Sequence, residues 1–147
     1  QGGFTLIELV VVMVILGILA SVAVPKYVDM TTQAREAKLR GAFGAVRSAM
    51  ALTHAASLAA GDAGKPTSTV TAEGQTINMV YGYPAVADIA TAAGVSAVDF
   101  TITSAASPAT IAVPGATTAA NCQVSYAVAT SASAPAVASL PATVNCQ

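Results

Sequence analysis

Hydrophobic and polar positions divide the chain into three stretches. From Phe4 to Val24 the only ionisable side chain is Glu8. As a helix, those roughly 21 residues rise about 32 Å, close to the ~30 Å of a bilayer core. Pro25 and Lys26 end the run, where a cation reaching headgroup level marks an interface. The apolar core of a cleaved signal peptide is shorter, about 7–15 residues, and here the helical pattern continues past Pro25 without a loop. The stretch therefore reads as a retained membrane helix over 4–25. In the second stretch, 26–62, Leu39, Phe43, Val46 and Met50 recur by four, three and four and form one apolar stripe. The stripe predicts contact with a sheet. Arg40 and Arg47 share another face, and Glu36 stands four residues before Arg40, the spacing of a weak ion pair. The helix is expected to stop near Gly61 to Gly64, within "GDAGKP".

The third stretch, 63–147, changes to strand-like runs between turn residues. A hairpin is predicted around Glu73-Gly74, with Thr76 to Tyr81 as its stronger strand. "ADIATAAG" reads as a short helical turn. "VDFTITS", "TIAVPG" and Gln123 to Ala129 read as three further strands. Val137 to Val144 reads as an edge segment, confined there by Pro141. The predicted class is α+β, with a long N-terminal helix packed on an antiparallel sheet of about four strands.

Composition sharpens this picture. Hydrophobic residues make up 54% of the chain and charged residues only 9%, against about 25% charged in an ordinary soluble domain. Such a chain is either membrane-associated or buries much of its surface against copies of itself. All six basic residues lie at or before Lys65, and no charged residue follows Asp99. With a net charge of −1 and no basic patch, nothing favours a nucleic-acid partner. The chemistry of catalysis and of metal or cofactor binding is thin. His54 is the sole histidine, which leaves Cys/His zinc sites and His-based catalytic sets without partners, and it reads as structural or solvated. "GAFG" lies inside a helix and lacks the Lys-Ser or Lys-Thr of a phosphate loop. No cofactor or metal is predicted, and no enzymic activity. The two cysteines, Cys122 and Cys146, form one disulfide in an oxidising compartment or stay as two thiols in a reducing one.

Glu8 is the anomaly in the apolar run. A lone carboxylate in hydrocarbon costs a few kcal/mol. Either Glu8 lies close enough to the end of the span to reach water, or a dedicated cation compensates it.

"GGFTLIELVVVMVILGILASVAVPKY" resembles the N-terminus of the type IV prepilins, a match covering about the first 27 residues. The resemblance implies that a prepilin peptidase cuts after Gly3, so that residues 1–3 are the end of a leader and Phe4 is the N-methylated mature terminus. It implies that Glu8 pairs with the terminal amine of a neighbouring subunit. It also implies that the helix, continuous in a membrane-held subunit, melts between Gly17 and Pro25 in a filament. "VYGYP" at 80–84 and the two-cysteine C-terminal segment resemble the mannose-sensitive haemagglutinin subgroup, in which a disulfide bounds the terminal loop, here through Cys122 and Cys146. The implied protein is a major pilin. It starts in the inner membrane, is handled by prepilin peptidase and the pilus assembly machinery, and becomes a homopolymer in an extracellular pilus for attachment or motility. The alternatives are a minor pilin and a type II secretion pseudopilin. Major pseudopilins carry an acidic calcium-binding loop near the C-terminus, whereas residues 100–147 contain no acid.

Overall fold

The computed structural model describes residues 3–132 and 135–147. A single helix, α1 (Leu6–Ala59), runs through both the apolar and the amphipathic stretches. Its end is set by backbone chemistry. Gly61 adopts φ 75°, Gly61 N–H donates to Leu58 O, and Asp62 N–H donates to Ser57 O, which together close the last turn as a Schellman motif. The glycine expected to stop the helix does so.

Among the described residues seven strands follow: β1 (Ser68–Ala72), β2 (Gln75–Val80), β3 (Tyr83–Pro84), β4 (Thr101–Thr103), β5 (Ala109–Ala112), β6 (Gln123–Ala127) and β7 (Val137–Ser139). A short helix, α2 (Ile89–Ala92), lies where "ADIATAAG" predicted a helical turn. All pairings are antiparallel, but the strands divide between two sheets where a single one was expected. One has the order β1-β2-β3 and the other β4-β5-β6-β7. The β1–β2 hairpin turns at Glu73-Gly74 as predicted, with Ala72 opposite Gln75. A second two-residue turn, Tyr81-Gly82, makes β3 out of Tyr83 and Pro84, which pair with Val80 and Met79. Both turns have φ near +50° at the first residue and near +78° at the glycine, the pattern of type I′ turns. β7 is an edge strand, as expected from Pro141, and it ends at Ser139, before that proline.

The core lies between the second half of α1 and the sheets. Leu39 and Val46 are fully buried, while Phe43 and Met50 are only partly covered. The deeply buried line runs instead through Leu39, Ala42, Val46, Ala49, Thr53 and Ser57. Small side chains let the sheets approach the helix closely, and Thr53 satisfies its hydroxyl by donating to Ala49 O at 2.7 Å. No ion pair joins Glu36 to Arg40; Lys38 reaches across to Asp99 at 3.6 Å and Lys65 pairs with Asp62. Facing α1, the second sheet contributes Ile111, Val124 and Tyr126, all fully buried.

Candidate assembly site at the helix N-terminus

The helix begins with a reciprocal cap. Thr5 is extended, at φ −82° and ψ 149°, and its hydroxyl accepts from Glu8 N–H at 3.4 Å. In return, Glu8 Oε2 accepts from Thr5 N–H at 2.9 Å and from Thr5 Oγ1 at 2.7 Å. This is a capping box, in which the Thr5 hydroxyl and the Glu8 carboxylate each satisfy a backbone N–H that would otherwise be orphaned. The helix N-terminus, with its partial positive charge, stabilises the same carboxylate. Glu8 thus has a local role that neither reading of its charge anticipated. The signal lay in the sequence as Thr-x-x-Glu, the signature of the box, at positions 5 to 8.

Gly3 and Phe4 precede the helix in non-helical conformation, and Phe4 is 91% exposed. From Leu6 to Val24 the large apolar side chains all stand exposed in the isolated chain. By length and composition α1 is the one helix, among the described residues, able to cross a membrane.

Gly17 and Pro25 both sit inside α1 without interrupting it. Proline at 25 removes the N–H that would bond the carbonyl of Ser21 four residues back, and Gly17 lowers the local helix preference by about 1 kcal/mol. Between Gly17 and Pro25 the helix therefore forgoes one backbone hydrogen bond and some intrinsic preference while remaining intact. In the same segment, Ser21 Oγ bonds back to Ile18 O at 2.7 Å.

Beside the middle of α1, Cys122 and Cys146 are joined by a disulfide and are fully buried. The closed segment is fixed to its surroundings by Asn145 N–H to Asn121 O, by Thr117 N–H to Gln147 O, and by Arg35 Nη1, which donates to Cys146 O at 3.2 Å. Arg35 was not singled out by sequence patterning, since its partner lies 111 residues away.

"VYGYP" turns out to be a junction. Gly82 has φ 79°, and a Cβ there would lie 2.9 Å from Ala63 Cα. Tyr83 stacks on His54 with ring centroids 4.2 Å apart, and His54 Nδ1 lies 2.9 Å from Gly82 O. His54 is therefore a structural histidine. Pro84 O accepts from Tyr126 Oη at 2.6 Å, tying the first sheet to the second. Among the described residues no group of three or more His, Cys, Asp or Glu side chains could hold a metal ion.

Residues 1–24 match the prokaryotic N-terminal methylation motif. The chain is 56% identical over 50 residues to the Type IV narrow pilus major component of Thermus thermophilus, covering 34% of this chain and 43% of that protein. It is 42% identical over 50 residues to the Type IV major alpha-pilin of Moraxella bovis, covering 34% and 31% of the two chains. Over 35 residues it is 60% identical to a Type IV major pilin protein of Neisseria gonorrhoeae, covering 24% and 21%. The chain thus aligns with less than half the length of each of these relatives. No solved structure is a significant match. The segment that carries the capping box and the exposed apolar helix therefore bears the prokaryotic N-terminal methylation motif, and its similarity is to proteins named as major pilins.

Proposed function

We propose that this protein is a major pilin, a structural subunit that polymerises through its N-terminal helix into an extracellular type IV pilus for attachment or motility. The observation that carries the reading is the two-sided use of α1. Its second half is built into the sheets, while its apolar first half emerges uncovered from the same unbroken helix. That half has two environments available to it: the inner membrane before assembly and the helices of neighbouring copies afterwards. Burying about 300 Å² of it against one neighbour is worth on the order of 8 kcal/mol before entropy costs. In this reading prepilin peptidase cuts after Gly3 and Phe4 becomes the N-methylated terminus, handled next by the assembly machinery. Glu8 then takes the Phe4 amine of a neighbour as its cation, and the weakly held turn between Gly17 and Pro25 unwinds as subunits pack. The chain serves as a building block and not as an enzyme. The Tyr81-Gly82 junction and the Cys122–Cys146 terminal loop support placing it near the mannose-sensitive haemagglutinin type of pilin.

Electron microscopy of sheared surface fibres, with sequencing of their peptides, tests the reading directly. Fibres of this chain beginning at Phe4 are expected. The Glu8→Ala variant should insert in the membrane but yield few fibres. Normal fibres from that variant would remove the proposed role of Glu8.

A further inference from the structure

Most of the few charges on this chain are satisfied within it. Asp62 pairs with Lys65 and Asp99 with Lys38; Asp88 accepts from the Asn78 backbone and side chain, Glu8 from Thr5, and Arg35 donates to Cys146 O. Among the described residues, four exposed charged groups have no ion pair, Lys26, Arg40, Arg47 and Glu73, and the last two also sit in distinctive settings. Arg47 has its guanidinium over the Phe43 ring, 5.6 Å from the centroid, with no acidic partner. It stands at a groove of about 500 Å³ between α1 and the β7 edge, floored by the stacked His54 and Tyr83 and bounded by Val137. Glu73 is the second. It is exposed at the tip of the β1–β2 hairpin with φ 50°. Glutamate is an uncommon choice for the first position of a type I′ turn, which favours Asn, Asp or Gly. Backbone strain and an unpaired charge therefore coincide at one exposed turn, and strained positions gather at functional sites.

The two groups cannot meet within one copy. Arg47 faces the β7 groove, whereas Glu73 stands beside Ala49, Leu52 and Thr53 on the other flank of α1. At 3.6 residues per turn the two sets lie roughly half a turn apart around the helix. Acid and base on opposite flanks of one body make a heterologous pair of surfaces, which joins copies side by side in an open series. Glu36 is half-buried on the helix itself. We propose that the Glu73-Gly74 hairpin tip of one copy docks in the groove beside Arg47 and His54 of the next, with the Glu73 carboxylate on the Arg47 guanidinium. The inference rests on the filament reading above and specifies a contact between the globular parts.

The test uses full-length chain in cells that assemble it. Arg47→Glu and Glu73→Arg should each lower the yield of shearable fibres by about fivefold or more, since each sets like charges against one another at every repeat. The double reversal should restore the yield to within about twofold of the parent. Independently, carbodiimide treatment of fibres carrying Arg47→Lys, assembled from mixed isotope-labelled and unlabelled chains, should join position 47 to Glu73 in mixed-isotope peptides. Singles that assemble normally, or a double variant no better than the singles although all accumulate in the membrane, would overturn this contact while leaving the filament reading intact. An unaltered chain that never forms fibres would overturn both.

Discussion

Replacing Tyr126 with phenylalanine isolates the bond that holds the two sheets together. The ring is fully buried on β6, opposite Ala109 and Ala138, and its hydroxyl donates to Pro84 O at 2.6 Å. Pro84 is itself fully buried, so Tyr126→Phe leaves a carbonyl without a partner and without water. That loss should cost about 1–3 kcal/mol at neutral pH. Burial, and secondarily the nearby Tyr83 phenol, raises the Tyr126 pKa above the ordinary tyrosine value. The unfolded chain therefore releases this proton near pH 10 while the folded chain retains it. The unfolded state then binds fewer protons, so the stabilising effect is complete below pH 10 and declines as pH rises further. By pH 11 the parent should lose about 1.4 kcal/mol relative to the variant. The assay is urea unfolding of the full-length protein in detergent, followed by near-ultraviolet circular dichroism from pH 7 to 11. Phenol absorbance should show Tyr126 titrating only on unfolding. Equal midpoints at pH 7 would refute the hydrogen bond as a stabilising tie. A gap that stays constant to pH 11 would refute the titration.

Other outcomes follow from the same packing. Gly82→Ala should destabilise by about 2–4 kcal/mol in urea unfolding, because the new methyl collides with Ala63 at 2.9 Å as well as straining φ 79°. Gly74→Ala, at φ 77° but in open space, should cost only about 1 kcal/mol, and equal losses would show that crowding at Ala63 is immaterial. Opening the Cys122–Cys146 bridge, whose partners are 24 residues apart, should lower stability by roughly 3–4 kcal/mol. An unchanged unfolding midpoint in the Cys122→Ala/Cys146→Ala variant would contradict this.

What could be read from sequence was local, and what could not was long-range. The helix from the apolar run to Gly61 follows from period and stop residues, and the Glu73-Gly74 turn from its own dipeptide. The Thr5–Glu8 box was equally local, yet the oddity of a charge in an apolar run drew attention to compensation from outside rather than from three residues away. The division into two sheets escaped detection because it depends on Tyr81-Gly82 folding back over Ala63, a contact that periodicity does not register. The buried stripe was placed on large residues, whereas close approach of the sheets selected Ala42 and Ala49. Arg35 to Cys146 and Tyr126 to Pro84 span 111 and 42 residues, beyond any spacing rule.

The second sheet has one further consequence. Across its strands, Tyr126 is the sole titratable side chain, and it is buried, so the outward surface of β4 to β7 carries no charge for ions to screen. Whatever that surface meets, it meets through hydroxyls, backbone edges and methyl groups. Such contacts should hold alike in fresh water and in brine, whereas an Arg47–Glu73 contact would weaken as salt rises. One small protein would then link its globular parts to their neighbours by a salt-sensitive contact and face its surroundings with a salt-indifferent skin.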